Sequence, residues 1–334
     1  MNPVEPSEKN GEGPALQVPL PWQESAWRQL ARARREGRLP HALLAFGPKG
    51  LGKGAFAETL ARALLCAEPL DSGHACGRCR DCRLSAAGTH PDLHRLTPET
   101  EGGVLSIDAI RESREKTILA VGEGRRRVFL IFPAEAMTTA AANALLKTLE
   151  EPPPGIHMLL VSHQPERLPV TIRSRCNLLP FRPPPEGMAL RWLQAQGIPA
   201  ERAQVALRLA GGGPLGALAR IESGEAEAAA RRLTQLVALV RGEAAPWTVA
   251  EQWLGERALA DLLAELTIWL HLLLRRIHGG KLSDPLPDIV IQPANLHEFL
   301  DKLFESLRRL PHNPNPQLTL EALLVEWCRI ARSR

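Results

Sequence analysis

The chain has 334 residues, of which 44% are hydrophobic and 23% are charged, a composition typical of a globular protein with two or three domains. The formal net charge of +4 is too small to indicate nucleic-acid binding by itself. Residues 1–18 are polar and predict a flexible tail rather than a secretory signal. The apolar run 262–274 is too short to span a bilayer. These features predict a cytoplasmic protein whose six cysteines are thiols or metal ligands rather than disulfides.

A glycine-rich loop follows the first apolar segment. Residues 43–46 read as a short strand, residues 47–54 have the sequence GPKGLGKG, and a helical pattern continues to about Leu65. A strand, a glycine-rich turn and a helix are the setting of a phosphate-binding P-loop, whose backbone N–H groups cradle phosphates. The candidate nucleotide-binding residues are Gly47, Gly50, Gly52, Lys53 and Gly54.

The loop departs from an active P-loop at its last position. Gly54 stands where a serine or threonine hydroxyl would bind Mg²⁺. Lys53 remains and could still meet phosphates, so two interpretations stay open. The loop either binds a nucleotide without its usual metal ligand or keeps only its fold.

Four cysteines follow the P-loop helix. Cys76, Cys79 and Cys82 have C-x₂-C-x₂-C spacing, and Cys66 precedes them by a short segment. Four thiolates can complete a tetrahedral Zn²⁺ shell, and a complete shell leaves no position for water, so the pattern predicts a structural zinc module over residues 66–82. Free thiols, a redox pair and an iron–sulfur cluster are the alternatives. His74 could replace Cys66 as the first ligand.

The middle of the chain predicts alternating strands and helices. Residues 92–96 and 128–132 read as strands, 107–121 as a helix, and the basic run 125–127 as a solvated turn before the second of these strands. Alternation of this kind predicts a parallel sheet covered by helices.

The stretch 143–176, NALLKTLEEPPPGIHMLLVSHQPERLPVTIRSRC, contains three elements in a fixed order. Leu145, Leu146 and Leu149 form one helical face, and the prolines at 152–154 end the helix. Residues 157–161 then read as a buried strand, and residues 177–181 as a last short strand. Between them lies the tripeptide Ser174-Arg175-Cys176, whose arginine would ordinarily be read as a solvated surface residue.

This stretch closely resembles bacterial clamp loaders, the AAA+ subunits of the DNA polymerase III holoenzyme. In that family the Ser-Arg-Cys arginine points across a subunit boundary at the ATP of the neighbouring subunit. The resemblance therefore implies that Arg175, with Ser174 beside it, acts as an arginine finger in trans. Such an arginine supplies roughly 10³–10⁵ in rate in GTPases, because it stabilises charge on the transferred phosphoryl group.

The same resemblance implies the fold and the domains. An α/β AAA+ domain with a parallel sheet would occupy residues 19–182 and carry the inserted zinc module. A small helical lid would follow at 183–222, and an all-α collar for oligomerisation at 223–334. The prolines at 183–185 and the pair Ser223-Gly224 mark the two boundaries.

Three motifs of an active ATPase are missing when the chain is aligned with this family. Gly54 replaces the P-loop hydroxyl, and the usual Asp-Glu pair of the metal site falls on Phe132 and Pro133. The sensing arginine of the lid falls near Leu215. The resemblance is therefore to a non-catalytic loader subunit that does not hydrolyse ATP with Mg²⁺ itself.

Such a subunit would help load the sliding clamp onto primed DNA at the nucleoid-associated replisome. The implied partners are the gamma/tau ATPase subunits and the delta subunit in a five-membered ring, and, through the complex, the sliding clamp and primer-template DNA. No membrane is implied. Two alternatives remain: an active AAA+ ATPase with a repaired metal site using Lys53 and Glu135, and a zinc-dependent DNA-binding module. Polymerase activity would belong to the holoenzyme.

Overall fold

A computed structural model describes residues 18–100, 102–108, 110, 126–278 and 291–332. The chain forms two compact units, the first ending at Met188 and the second beginning at Ala189. Among the described residues, no helix is long and apolar enough to cross a membrane. The tail at 1–17 and nearly all of the predicted helix at 107–121 lie outside the described residues.

The first unit is built on a five-stranded sheet. Its strands are β1 (Ala42–Phe46), β2 (Leu93–Leu96), β3 (Arg127–Ile131), β4 (Ile156–Ser162) and β5 (Asn177–Pro180). The strand order is β2-β3-β4-β1-β5, and every pairing is parallel. The predicted α/β class with a parallel sheet is therefore confirmed.

The central strands β1, β3 and β4 are almost wholly apolar and are buried on both faces of the sheet. Alternate residues of β1 point to opposite faces, so Leu43 and Ala45 belong to one hydrophobic cluster while Ala42 and Leu44 belong to another. The same division runs through β3 and β4. A parallel sheet needs helices on both faces, and the continuous apolar runs of these strands reflect that requirement.

Five helices of this unit lie within the residues that the structure describes. They are α1 (Glu24–Arg35), α2 (Lys53–Leu65), α3 (Arg80–Ala86), α4 (Thr139–Glu150) and α5 (Val170–Arg173). Helices α1 and α2 contribute to the first of the two clusters, and α4 to the second. Thr138 caps α4, since its side chain accepts a hydrogen bond from the N–H of Ala141.

The second unit is helical. Its elements are α6 (Glu186–Ala195), which begins just before the division, α7 (Ala200–Leu209), α8 (Pro214–Glu222), α9 (Glu225–Arg241), α10 (Pro246–Glu256), α11 (Leu259–Ile277), α12 (Pro293–Arg309) and α13 (Pro316–Arg332). One hydrophobic cluster draws on residues between 189 and 226, and a larger one on residues between 209 and 330. The further division into a lid and a collar stays a prediction.

Buried charge in this unit is paired. Arg232, whose side chain is 2% exposed, binds Glu265 at 2.7 Å and Glu256 at 3.0 Å. Arg257 reaches the same Glu265 at 3.0 Å. Removing one partner from such a network leaves an uncompensated buried charge, so these residues fix how α9, α10 and α11 meet.

One local expectation was wrong. Arg127 does not lie in a solvated turn but is the first residue of β3. Its guanidinium binds Asp92 at 2.9 Å, and both side chains are nearly buried. The pair lies where β2 and β3 begin, which explains why an arginine can open a buried strand.

Candidate functional site: a degenerate nucleotide loop and an arginine at the opposite edge

Three strands of the sheet end at the same edge, because parallel strands share one direction. Strand β1 leads into the glycine-rich loop, β3 leads to Phe132, and β4 leads to His163. In open parallel sheets, ligands bind in the crevice beyond the carboxyl ends of the strands. This edge is therefore where a nucleotide would be expected.

The glycines of the loop hold conformations that other residues would strain. Gly47 has φ 145°, and a Cβ added there would lie 2.1 Å from the carbonyl oxygen of Phe181. Gly50 and Gly52 have φ of 74° and 75°, in the left-handed region that favours glycine. The backbone of this loop therefore depends on its glycines.

Gln23 holds the end of the glycine-rich loop at Leu51 and Gly52. This fully buried amide donates from Nε2 to the carbonyl of Leu51 at 2.9 Å and to that of Gly52 at 3.0 Å. Its own Oε1 accepts the N–H of Leu20 at 2.9 Å. Together these hydrogen bonds hold the loop in shape without any ligand.

The ammonium group of Lys53 is held inside the protein. Lys53 is 1% exposed, and its Nζ donates to the carbonyl of Pro48 at 2.6 Å and meets Nδ1 of His163 at 2.8 Å. Burial, together with the charges of Lys53 and Lys49, lowers the pKa of His163 to about 3. At neutral pH His163 is therefore uncharged, and its Nδ1 accepts the hydrogen bond from the lysine.

The positions that bind Mg²⁺ in an active ATPase carry no ligand here. Phe132 packs its ring against His163 with centroids 5.4 Å apart, and Pro133 follows it. Gly54 lies in the first turn of α2. Within the described ranges, the one group of three or more histidine, cysteine or carboxylate side chains placed to hold a metal is the cysteine cluster.

Glu135, the acid of the alternative metal site, has a structural contact instead. It lies on the short 3₁₀ turn Ala134–Ala136, and its Oε1 accepts the backbone N–H of His163 at 2.9 Å. The hydroxyl of Ser162, at the end of β4, accepts the N–H of Gln164 at 3.2 Å. Both side chains thus stabilise the turn that positions His163.

The four predicted cysteine ligands come together. Their sulfur atoms all lie within 4.8 Å of one another, and Cys66–Cys79 and Cys76–Cys82 are each 3.9 Å apart. Tetrahedral ligands at a Zn–S distance of about 2.3 Å would be about 3.8 Å apart. The residues present therefore fit a metal ion with four thiolate ligands.

Backbone N–H groups point at this cluster, as expected for a site that stabilises thiolates. The N–H of Cys76 lies 3.2 Å from Sγ of Cys66, and that of Cys82 lies 3.4 Å from Sγ of Cys79. Burial raises the pKa of Cys66 and Cys82. At Cys79 the effect of burial is outweighed by hydrogen bonds from Cys82 and other neighbours, which lower its pKa to about 6. A thiol with a lowered pKa loses its proton readily to a metal.

His74, which could have replaced Cys66, is used elsewhere. Its ring stacks on Trp27 with centroids 4.5 Å apart, and its two nitrogens meet Oγ of Ser72 at 2.9 Å and the carbonyl of Val18 at 3.1 Å. The indole N–H of Trp27 also donates to the carbonyl of Ser72 at 3.0 Å. His74 therefore anchors the segment between the cysteines to α1.

Arg175 lies just after α5, with its guanidinium partly exposed. Its Nε donates to Oε1 of Glu150 at 2.7 Å, and its Nη1 donates to the carbonyl of Thr171 at 3.1 Å. Ser174 is the C-cap of α5, and its Oγ donates to the same carbonyl at 3.2 Å. The predicted finger is thus presented from a short, hydrogen-bonded turn.

Arg175 and the glycine-rich loop lie at opposite edges of the sheet. Arg175 comes two residues before β5, whose first residue pairs with Leu43 near the start of β1. The loop begins only after Phe46, the last residue of β1. Most of the length of β1, about 10–13 Å at 3.3 Å per residue, separates the two features.

Two residues of the site escaped sequence reasoning. His163 directly follows the end of β4, but a histidine beside a strand end gives no signal that it will meet Lys53. Glu150 lies inside the LEEPP string, where nothing in the sequence pairs it with Arg175. Both contacts are long-range in the chain.

Comparisons with known proteins agree with this geometry. Residues 22–185 match the family described as DNA polymerase III, delta subunit. The chain is 37% identical over 326 residues to DNA polymerase III subunit delta' of Pseudomonas aeruginosa, covering 93% of this chain and 97% of that protein. It is 44% identical over 201 residues to the delta' subunit of Escherichia coli K12, covering 60% of each.

A solved structure shows the same fold. A DNA polymerase III gamma subunit-related protein from Thermotoga maritima superposes with a TM-score of 0.50 at 18% identity, covering 91% of this chain and all of that one. The parallel sheet with its glycine-rich loop thus defines the class of P-loop proteins. Within that class, the chain belongs to the family of DNA polymerase III delta' subunits.

The cysteine cluster yields a test of its ligands. We expect Cys66→Ser to lose bound metal, because three thiolates leave the tetrahedral shell incomplete. His74→Gln should keep one metal per chain, since His74 binds the segment to Trp27 instead. Elemental analysis of the purified variants measures this directly. Metal loss in His74→Gln together with retention in Cys66→Ser would show that the ligand set is wrong.

The buried contact between Lys53 and His163 predicts a pH dependence. The folded chain keeps His163 neutral down to a pKa of about 3, whereas an unfolded histidine titrates near 6.5. The free energy of unfolding should therefore fall as the pH drops through this window, by at most about 1.4 kcal/mol per pH unit from this group.

Between pH 6.5 and pH 5, we expect the free energy of unfolding of His163→Asn to fall by about 1–2 kcal/mol less than that of the wild type. The reason is that asparagine accepts the lysine hydrogen bond without titrating. Hydrogen exchange of β1 and β4 peptides measures the stability of this unit. The control is His271→Asn, an exposed histidine of α11. An equal fall in the free energy of unfolding in the wild type, His163→Asn and His271→Asn would contradict the prediction that His163 is buried and neutral.

Proposed function

We propose that this chain is a subunit of the DNA polymerase III clamp loader that does not hydrolyse ATP itself and supplies Arg175 in trans to a neighbouring ATPase subunit. In this role it helps load the sliding clamp onto primed DNA. The observation that carries the proposal is the placement of Arg175 at the edge of the sheet opposite the chain's own glycine-rich loop.

That placement separates Arg175 from its own nucleotide loop. An arginine about 10–13 Å along the sheet from the loop is poorly placed to serve a phosphate held there. It projects instead from a surface turn after α5, where an adjacent subunit could bring a nucleotide. A planar guanidinium suits this task, because it can bind two phosphate oxygens at once and always carries its charge.

The chain's own loop supports the absence of hydrolysis. Lys53 is already bound by Pro48 and His163, and no hydroxyl stands at Gly54. Phe132 and Pro133 replace the acids that hold Mg²⁺ and orient the attacking water. Phosphoryl transfer tolerates little misplacement of its catalytic groups, and here several of them are missing together.

We further propose that the metal of the cysteine cluster is a structural zinc held by Cys66, Cys76, Cys79 and Cys82. Four thiolates favour Zn²⁺, and a complete shell has no open position for catalysis. The ion would stabilise the module against α1 and α2. The chain's own thiolates, held by backbone N–H groups, supply the whole site.

The helical second unit supports a role in assembly. Residues 183–222 would form the lid, and residues 223–334 the collar that joins five subunits in a ring. The neighbours in that ring would be the gamma/tau ATPase subunits and the delta subunit. Contacts with the sliding clamp and with primer-template DNA would be made through the complex at the replisome.

The rival function is an active ATPase that uses Lys53 and Glu135. Glu135 gives one oxygen to the N–H of His163, and its other carboxylate oxygen is buried without a hydrogen-bond partner. A single acid two positions beyond the usual pair cannot reproduce the geometry of a Walker B site. The rival requires Mg²⁺-dependent turnover by the isolated chain.

The finger role predicts the behaviour of Arg175 variants in a reconstituted clamp loader. We expect Arg175→Ala to slow ATP-driven clamp loading at least about tenfold, because charge on the transferred phosphoryl group loses its stabilisation. Arg175→Lys should restore little of the rate, since an ammonium group lacks the bidentate fork. Clamp loading and ATP turnover of the complex are the measurements.

Arg167→Ala is the matched control, because Arg167 is also exposed and its side chain binds only Gln164 at 3.1 Å among the contacts described. It should leave clamp loading unchanged. Sizing of each complex checks that assembly is intact. Normal clamp loading by a fully assembled complex that carries Arg175→Ala would contradict the finger role.

A further inference from the structure

The guanidinium of Arg175 is almost fully occupied by its own chain. Nε and Nη2 both donate to Oε1 of Glu150, at 2.7 Å and 2.5 Å. Nη1 donates to the carbonyl of Thr171 at 3.1 Å and to Oγ of Ser174 at 3.4 Å. A guanidinium has five N–H donors, so these contacts leave only one of them for any other acceptor.

The edge that Glu150 occupies is the one a phosphate would need. Bidentate binding of a phosphate or carboxylate uses two parallel N–H groups of the fork. Here the Nε and Nη2 pair faces Glu150, and Nη1 faces the turn of α5. A phosphate from another subunit can therefore be bound in that manner only if Glu150 gives up the guanidinium.

We propose that Glu150 is a guard carboxylate, which covers Arg175 in the chain and competes with the phosphates of the neighbouring subunit's nucleotide. This inference rests on the proposed finger role of Arg175. Glu150 does not touch the nucleotide itself, so it acts through Arg175 and sets how readily the finger becomes available.

The position of Glu150 favours such a reversible contact. It is the last residue of α4, where the negative end of the helix dipole disfavours a carboxylate and favours the cation beside it. The side chains of Glu150 and Arg175 are 49% and 35% exposed. Exposed pairs of this kind are weak and easily exchanged, so a multiply charged phosphate can displace Glu150.

Glu151 provides a matched control. It follows Glu150 directly, carries the same charge and is exposed, and no ion pair is found for it among the residues that the structure describes. Glu151→Gln therefore changes the charge of this surface by the same amount as Glu150→Gln. A general electrostatic effect would appear in both variants, whereas release of Arg175 would appear in one.

The test is a double-mutant cycle in the reconstituted clamp loader. Wild type, Glu150→Gln, Arg175→Ala and the double variant are compared by the ATP concentration that gives half-maximal turnover. We expect Glu150→Gln to lower this concentration about two- to fivefold, the range of a surface ion pair. Glu151→Gln should match the wild type, and Glu150→Gln should have no effect once Arg175 is alanine.

Three outcomes of this cycle would contradict the guard role of Glu150. An equal shift in the Arg175→Ala background, or in Glu151→Gln, would overturn the guard role, because the effect would not pass through Arg175. A raised half-maximal concentration in Glu150→Gln would overturn it too, since Glu150 would then hold the finger in its working position. Glu150→Ala repeats the test without the amide, and the thermal midpoint of each variant checks its folding.

The finger role and the guard role fail differently. If Arg175→Ala leaves turnover and clamp loading unchanged, the proposed function itself fails. If Arg175→Ala is strongly impaired while Glu150→Gln behaves as wild type, only the guard role fails.

Discussion

The direction of the five parallel strands is the constraint on which the rest of this structure depends. It brings the glycine-rich loop, Phe132 and His163 to one edge, and it leaves Arg175 near the other. A chain with this topology can hold phosphates at its carboxyl edge and offer an arginine to a neighbour from its amino edge.

At the carboxyl edge, the lysine of the glycine-rich loop is hydrogen-bonded within the protein, and we propose that this loop does not support ATP hydrolysis. A buried ammonium group is costly unless it is hydrogen-bonded, and here Pro48 and a neutral His163 supply that compensation for Lys53. Gln23 holds the loop carbonyls from the other side. Lys53 and Gln23 therefore stabilise the fold of the loop through contacts within the protein.

Local sequence patterns predicted the strands and most of the candidate metal ligands. The strands were placed to within about one residue, and the buried strands β1, β3 and β4 were the clearest because such strands read as continuous apolar runs. Cys76, Cys79 and Cys82 were identified as metal ligands from their C-x₂-C-x₂-C spacing, whereas the spacing left Cys66 in competition with His74. Resemblance to clamp loaders supplied Arg175, which composition and periodicity would have left as a surface residue.

The remainder depends on contacts between distant residues, which periodicity does not report. His163 meets Lys53 across 110 positions, and Arg127 binds Asp92 across 35, so neither partner could be named from the sequence. The competition between Cys66 and His74 had the same origin. His74 stacks on Trp27 instead, a contact between a helix and a loop that spacing could not predict.

The most direct test of the account is binding and hydrolysis of ATP by the purified single chain with Mg²⁺, measured beside Lys53→Ala. The account predicts no turnover in either protein, because the metal ligands are missing and Lys53 is already bound within the loop. Mg²⁺-dependent turnover that disappears in Lys53→Ala would contradict it. The chain would then be a motor subunit, with a metal site that does not need acids at positions 132 and 133.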